Sequence, residues 1–328
     1  MSITICAVDA GKSDTKTSVI RDGQLSHNAF PTAIGRATDG GTDLLDHVHT
    51  FSCKNLGDIC REVRIGSAEL PTKSDDNYSK DSDINRICTM YGIASSVNPG
   101  ETVNVAIGCP LSLFKDKEKR TEYGMHVVPT GRMECVIDGE PKVFTIDKRI
   151  VYAESTGILT LHPELFSESR YDAAIVDLGG LNMNISAINN GSVIVGESNT
   201  SNHGGRFLQA EIQKRLIGEG IPITDAQVVP AIERGYVNDH DPEKKKKSEV
   251  IIAEGINAFI DKVTAMLKKT WTNFDTLELF FIGGTSYLLK PYLEKRFEGY
   301  SHFEESFEAA RFANADGFAR KMYAKLAG

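Results

Sequence analysis

Two fifteen-residue segments of this chain, Asp9–Gly23 and Asp177–Gly191, resemble each other without a gap. Their first residue, first glycine, one serine, one isoleucine and last glycine are identical. Each segment follows a short apolar stretch and ends at Asp-Gly or Asn-Gly, which is the strongest short sequence signal of a hairpin. Each segment therefore predicts the same unit: a buried strand, a glycine loop that starts with an aspartate, a second strand, a turn and a third strand.

The distance between the two segments indicates a duplicated architecture. They lie about one domain length apart, and 328 residues suffice for about two domains. Further buried strands are predicted at Val103–Ile107 and Leu277–Ile282, with helical patterns between the strands. We therefore predict an α/β protein of two similarly folded halves, 1–165 and 166–328, that face each other across a cleft. A polar stretch of about 30–99 is expected to be an inserted subdomain.

Composition excludes several classes of function. The net charge of −8 and the pI of about 5.6 disfavour direct binding to DNA or to anionic membranes. No apolar run approaches the roughly 18 residues of a membrane span, and the first residues do not resemble a signal peptide. The six cysteines form no Cys-x-x-Cys pair, so we expect buried thiols in a cytoplasmic protein.

The paired loops carry residue types that suit a metal-bound polyphosphate. Glycine lets backbone N–H groups approach phosphate oxygens closely, and an aspartate at a strand end is a hard ligand for Mg²⁺. We expect Asp9 and Asp177 to bind Mg²⁺ through water. Lys16, on the strand that leaves the first loop, is a candidate contact to the phosphates. The remaining candidates in the first loop are Gly11, Lys12 and Ser13.

A third element follows the last predicted strand, where Gly283, Gly284 and Thr285 lead into a predicted helix. Two glycines at this position leave room for a flat base to pack against the backbone. The alternative is an ordinary strand-to-helix turn.

Taken together, the early D-x-G-x(4)-K, the central D-x-G-G and the late apolar-G-G-T resemble the phosphate-1, phosphate-2 and adenosine motifs of the actin, sugar-kinase and heat-shock-chaperone ATPase superfamily. Together with the short length, the segment Ala313–Phe318 is most similar to bacterial actin-like proteins of the ParM type, which segregate plasmids. The resemblance implies an actin-like two-lobed fold with ribonuclease-H-like halves and a nucleotide cleft. It also implies a second insertion at about 196–270 and a C-terminal helix at about 307–328 that returns to the first half.

The resemblance also implies a function. It predicts a Mg²⁺-dependent ATPase or GTPase of the cytoskeleton that forms a helical filament and moves plasmid DNA through a DNA-bound adaptor of the ParR type. Glu154, which we expect in an apolar helix, matches the position that orients the attacking water; an exposed helix-start residue is the alternative. Asp9, Asp177 and Glu154 are thus the catalytic candidates.

Nucleotide contacts are also implied for the second loop, the segment after it and the helix that follows. The candidates are Gly179, Gly180, Leu181, Asn182, Gly204, Gly205 and Lys214. For Lys214, an ordinary solvated helix lysine is an equal alternative. Leu181, Asn182 and Asn184 replace the hydroxyls and the last carboxylate of the D-L-G-G-T-T-x-D pattern often found in ParM-like chains. These replacements affect the expected rate of hydrolysis more than the expected nucleotide binding.

Two other functional classes remain open from the sequence: a small-molecule kinase on the same fold, and a monomeric chaperone-like ATPase. His47 and His49 are interpreted as ordinary surface histidines, because no third ligand follows at metal-binding spacing. The lysines 244–247 are assigned to a solvated polar loop, Asn238–Lys247, that leads into a helix.

Overall fold

The computed structural model describes residues 3–36, 47–74, 81–166, 173–238, 240–271 and 273–327. The chain divides into two compact units. The first comprises Met1–Pro163 and Phe312–Gly328, and the second comprises Glu164–Arg311. The second change of unit falls within one helix, Phe307–Ala327.

The first unit is built on one ten-stranded sheet with the strand order β3-β2-β1-β8-β10-β9-β5-β6-β4-β7. Strands β1, β8 and β10 are parallel neighbours. The strands are β1 Thr4–Ala10, β2 Asp14–Arg21, β3 Gln24–Pro31, β4 Ala33–Arg36, β5 His49–Cys53, β6 Val63–Ile65, β7 Thr72–Lys73, β8 Thr102–Cys109, β9 Gly131–Ile137 and β10 Glu140–Ala153. A 3₁₀ helix, Lys54–Cys60, follows β5. The α-helices are α1 Asp83–Ser96, α2 Leu111–Phe114, α3 Lys117–Val127 and α4 Ile158–Leu161, and α5 Pro163–Phe166 begins at the end of this unit.

Strand β1 has a continuous apolar run, Ile5–Val8, and both of its faces are covered. Cys6 and Val8 belong to the core that includes α1, whereas Ile5 and Ala7 pack in a second core with Phe318 of the C-terminal helix. A strand buried on both faces has a continuous apolar run rather than an alternating one. This explains why the sequence identified the central strand so directly.

The predicted insertion at 30–99 contains strands β4 to β7, which extend the same sheet through the pairing of β5 with β9. It also contains α1, which packs against β1 and β2. One close contact of this packing joins the side chains of Thr17 and Ser96, whose hydroxyl oxygens lie 3.2 Å apart.

The second unit has a five-stranded sheet with the order β13-β12-β11-β14-β15. Its strands are β11 Ala173–Leu178, β12 Met183–Asn189, β13 Ser192–Ser201, β14 Glu278–Ile282 and β15 Ser301–Phe303. Its helices are α6 Gly205–Gly218, α7 Asp225–Arg234, α8 Pro242–Thr270, α9 Gly284–Leu288 and α10 Lys290–Arg296, and α11 is the helix Phe307–Ala327 that continues into the first unit.

The duplication predicted from the sequence is present down to the strand register. The five strands of the second sheet have the same order as β3-β2-β1-β8-β10 of the first, and the neighbouring pairs run in the same relative directions. Asp9 pairs with Lys16, and the corresponding residues Asp177 and Asn184 also pair. Both predicted hairpin turns are present, with positive φ at Asp-Gly 22–23 and at Asn-Gly 190–191.

One predicted loop is wrong. We assigned Asn238–Lys247 to a polar loop, but α8 begins at Pro242 and includes the four lysines 244–247. The helix starts here because the Asp241 side chain accepts a hydrogen bond from the Glu243 N–H at 2.9 Å and proline suits the first helical turn.

Candidate functional site

The first loop joins β1 to β2 and places two opposite charges side by side. Asp9 stands across from Lys16 in the ladder, and the Lys16 Nζ lies 3.5 Å from the Asp9 Oδ2. The Asp9 residue is only 7% exposed. At this strand end, Lys16 can contact an incoming phosphate while it stays beside the Asp9 carboxylate. A phosphate contact and a carboxylate metal ligand are what the sequence predicts for this loop.

Thr32, which the sequence analysis did not single out, holds this loop in place. Its hydroxyl donates to the Gly11 carbonyl at 2.7 Å, and its N–H donates to the Ser13 carbonyl at 2.8 Å. The Thr15 and Thr32 hydroxyl oxygens lie 2.9 Å apart. Because Thr32 binds the carbonyls of Gly11 and Ser13, it restrains the backbone conformation of the loop.

Lys12 has a contact that the sequence did not indicate, and its role as a phosphate donor stays a prediction. Its side chain is buried, and its Nζ lies 3.5 Å from the Ser74 carbonyl oxygen. Ser74 in turn donates its N–H to the Thr32 carbonyl and its hydroxyl to Asn85 of α1. Lys12 therefore contacts the segment that follows β7, a structural connection that local sequence did not indicate.

The second loop follows β11 and is closed by the backbone at the start of α6. The N–H groups of Gly205 and Arg206 donate to the carbonyls of Gly179 and Gly180 at 2.9 and 2.7 Å. The Gly204 N–H donates to Leu181 at 2.9 Å, and a Cβ added at Gly204 would lie 2.4 Å from the Leu181 carbonyl carbon. This close approach of two backbones requires glycine at position 204.

The glycine pair after β14 packs against the same loop. Gly283 has φ +88°, and a Cβ there would lie 2.8 Å from the Asp177 Oδ1. The Thr285 hydroxyl donates to the Gly179 carbonyl at 3.1 Å. The structure thus brings together Asp177, the second loop, the start of α6 and the Gly-Gly-Thr segment, which are far apart in the sequence.

Lys214 is not part of this cluster. It is exposed on α6, nine residues after Gly205, which corresponds to about 13 Å along the helix axis. It lines a groove of about 730 Å³ together with Lys247 and Glu254 of α8. Its assignment to the nucleotide base stays a prediction.

Glu154 lies at the same sheet edge as Asp9. Val8 and Val151 both pair with Ile107 of β8, so the residues that follow them emerge at one end of the parallel strands. Neighbouring strands are about 4.8 Å apart, which puts β1 and β10 about 10 Å apart. The helix that we expected around Glu154 is wrong: the residue occupies a turn directly after β10, and its N–H donates to the Cys109 carbonyl at 2.9 Å.

Tyr123 is a second residue that the sequence analysis missed. Its hydroxyl donates to the Gly108 carbonyl at 3.1 Å, beside the position that Glu154 occupies. Burial raises the pKa of Tyr123, and the negative charges of Glu154 and Asp9 raise it further. Tyr123 therefore stays a protonated donor at the edge of the sheet. A tyrosine in a charged, mostly exposed helical stretch gives no local signal of this role.

Two of the residues that replace the usual ParM-like pattern after Asp177, Asn182 and Asn184, differ in their hydrogen bonds. The Asn184 amide oxygen accepts a hydrogen bond from the Thr200 hydroxyl at 2.8 Å. The Asn182 amide oxygen is buried and has no hydrogen-bond partner. Asn184 therefore sits opposite Asp177 as a neutral group, where the first copy has the cation Lys16 opposite Asp9.

Asp9 and Asp177 offer the hard oxygen donors that Mg²⁺ prefers. Within the described ranges, no group of three or more His, Cys, Asp or Glu side chains is arranged to hold a metal ion. His49 forms a hydrogen bond with Asp138, in which the Nδ1 and Oδ2 atoms are 2.7 Å apart.

None of the helices in the described residues is long and apolar enough to span a membrane.

Comparison with known proteins agrees with this geometry. Residues 7–157, slightly less than half of the chain, match the family described as actin-like proteins, N-terminal domain. No curated protein matches the chain. The Alp12 filament structure is 23% identical with a TM-score of 0.71, and the match covers 99% of this chain and 100% of that one.

Two further solved structures are also similar over nearly the whole chain. Ta0583, an archaeal actin homologue in complex with ADP, is 17% identical with a TM-score of 0.73, covering 98% of this chain and 100% of that one. ParM from Bacillus thuringiensis with ATP is 16% identical with a TM-score of 0.70, covering 99% and 100%. The fold is therefore the actin-like fold. The resemblance to actin-like proteins that the motifs predicted is confirmed at the level of the fold.

Proposed function

We propose that this chain is a nucleotide-dependent filament protein that hydrolyses ATP or GTP and that its polymer moves plasmid DNA. The observation that carries the proposal is the repeated hairpin, in which two aspartates occupy the same register position at the ends of equivalent strands. The solved structures with ADP and with ATP support nucleotide binding, and the Alp12 filament supports self-association.

The residues of each unit have distinct roles in this proposal. In the first, Lys16 neutralises phosphate charge, and backbone N–H groups of the loop that Thr32 anchors contact phosphate oxygens. In the second, Gly179 and Gly180 present the backbone to the phosphates, and the Gly-Gly-Thr segment lies beside the base. Asp9 and Asp177 hold Mg²⁺ through water, and the bound ion would neutralise charge on the phosphates.

Glu154 is the proposed water-positioning residue. Its carboxylate can accept a hydrogen bond from a water and orient it toward a phosphorus atom. Asn184 cannot accept a proton from such a water, because its side chain is an amide. We therefore propose slow hydrolysis with intact nucleotide binding, so that filaments persist after assembly.

The proposed partner rests on the resemblance to ParM-type proteins and agrees with the charge of the chain. A chain with a net charge of −8 is unsuited to direct contact with DNA phosphates, so a basic adaptor of the ParR type is proposed to connect the filament to the plasmid. A head-to-tail contact between copies that does not close into a ring gives a helical polymer. Loss of the γ-phosphate contacts would then destabilise that polymer.

High-speed sedimentation and electron microscopy test this proposal. The purified chain is incubated with magnesium and either ATP, GTP or a non-hydrolysable analogue of each, with nucleotide-free protein as the control. We expect a pellet and filaments only with nucleotide. Binding without polymer over a wide concentration range would refute the filament, and phosphate transfer to a small acceptor under those conditions would favour the kinase alternative.

A further inference from the structure

Six buried cysteines lie in the core of the first unit, and two of them stand directly opposite each other. Cys53 of β5 and Cys135 of β9 are partners in the antiparallel ladder. Both thiols are free, and the two residues are 1% and 3% exposed. The other four, Cys6, Cys60, Cys88 and Cys109, lie in the same core.

The hydrogen-bond pattern shows which kind of pair Cys53 and Cys135 form. The Asp138 N–H donates to the Thr50 carbonyl at 3.0 Å, so residues 50 and 138 are a hydrogen-bonded pair. Bonded and non-bonded pairs alternate along an antiparallel ladder, which makes 53 and 135 a non-bonded pair. The Cα atoms of such a pair are about 4.5 Å apart. A disulfide spans Cα separations of about 4.4–6.8 Å, so the backbone separation expected for this pair lies within the range of a disulfide.

We propose that Cys53 and Cys135 are an oxidisable dithiol, a modification site that a hydroperoxide converts into a cross-strand disulfide. The bond would join β5 to β9, and among the described strands this is the one pairing through which β4 to β7 attach to the rest of the sheet. Oxidation would thus fix those strands to the central sheet. The site is separate from the residues assigned to the nucleotide and does not depend on that function.

The surroundings of the two sulfurs distinguish their roles. The Cys135 thiol and the backbone N–H groups of Asn55 and Leu56 lower the pKa of Cys53. Of the six cysteines, all of which lie in described ranges, the others with a shifted pKa are raised, mainly by burial, or in Cys135 by its bond to Cys53. The thiolate is the nucleophile in thiol chemistry, and the N–H groups of Asn55 and Leu56 would stabilise a thiolate at Cys53, so we assign the first step to Cys53.

The chemistry balances with one equivalent of oxidant. The Cys53 thiolate attacks the peroxide, the O–O bond breaks, and sulfenic acid and an alcohol or water form after proton uptake. The Cys135 sulfur then attacks the sulfenic sulfur, the S–O bond breaks, and the leaving hydroxide takes the Cys135 proton to give water. Two thiols and one hydroperoxide become one disulfide, one alcohol or water and one further water.

Peptide mapping of the folded full-length chain tests the site. The chain is treated with hydrogen peroxide, alkylated in denaturant and digested with trypsin, which cuts after Lys54, Arg132 and Lys142 and so separates Cys53, Cys60 and Cys135. We expect loss of two of the six thiols, a linked pair of peptides 37–54 and 133–142, and full reversal by dithiothreitol. Cys60→Ser is the matched control and should keep the linked pair, whereas Cys53→Ser and Cys135→Ser should lose it.

Other outcomes overturn the proposal. A Cys53–Cys60 link, or six remaining thiols in a chain whose circular dichroism shows it folded, would contradict it. If a serine variant does not fold, mapping of the unsubstituted chain alone still decides. A rise in the apparent melting temperature after oxidation, reversed by dithiothreitol, would support the attachment of β5 to β9.

Discussion

The Thr32 hydroxyl donates a hydrogen bond to the carbonyl of Gly11, 2.7 Å away, and so connects the end of the first hairpin to its loop. This contact crosses 21 residues of sequence and lies beside the pair formed by Asp9 and Lys16. The conformation of the candidate phosphate loop therefore depends on a residue outside the repeated motif.

Thr32→Val should weaken nucleotide binding, because it removes the hydroxyl while keeping the shape of the side chain. An unsatisfied buried carbonyl costs about 1–3 kcal/mol, and we expect a loss of that order in the free energy of unfolding. Thr32→Ser is the control, since it keeps the donor. Calorimetric titration with nucleotide and urea unfolding measure the two effects, and equal affinity in both variants would contradict the prediction.

Gly283→Ala should damage the second loop far more than Gly299→Ala. Both glycines have φ near +88°, so both changes carry the cost of a left-handed alanine, about 1–2 kcal/mol. Only the Cβ at 283 meets other atoms, namely the Leu178 carbonyl oxygen at 2.6 Å and the Asp177 Oδ1 at 2.8 Å. Denaturant unfolding should show the difference, and nucleotide affinity should fall in Gly283→Ala alone.

Glu154→Gln should keep nucleotide binding and slow phosphate release by about 10²-fold or more, the lower range of general acid–base effects. Filaments of this variant should therefore last longer. Glu140→Gln, an exposed change at the start of β10, is the control and should behave like the unsubstituted chain. Phosphate release is followed in a continuous assay, and release faster than that of the control would refute the proposed role.

Glu101 should make a pH-dependent contribution to the free energy of unfolding. Burial raises the pKa of Glu101. The hydrogen bonds from Arg21, the Asn98 N–H and Thr4 outweigh this effect and lower the pKa to about 2. A carboxylate with a lowered pKa stabilises the fold above its unfolded pKa, and the contribution is lost as the pH falls toward 2. The destabilisation caused by Glu101→Gln, measured by urea unfolding, should therefore be full at pH 7 and shrink between about pH 4.5 and pH 2. A difference that does not change with pH would contradict this.

The strands and glycine loops could be predicted because their signals are local. Buried strands are short apolar runs, and Asp-Gly and Asn-Gly mark turns wherever the chain needs positive φ. The contacts of Thr32 with Gly11 and of Tyr123 with Gly108 join residues that only the fold brings together, so no local pattern indicated them.

The two wrong local assignments also have physical reasons. The apolar stretch 151–161 suits a strand end and a helix equally well, and the structure divides it between β10 and α4. The lysines 244–247 resembled a loop because of their charge, although Asp241 and Pro242 were an adequate helix-start signal. The predicted cleft and the binding role of each site residue stay predictions.

Because the two hairpins have the same register, each residue of one hairpin can be compared with the residue at the equivalent position of the other. A residue can be moved from one copy to its counterpart while its backbone surroundings stay nearly the same. Asn184→Lys would give the second aspartate the cationic neighbour that the first already has. Such exchanges within one chain can therefore show which sequence differences between the two hairpins give them different functions.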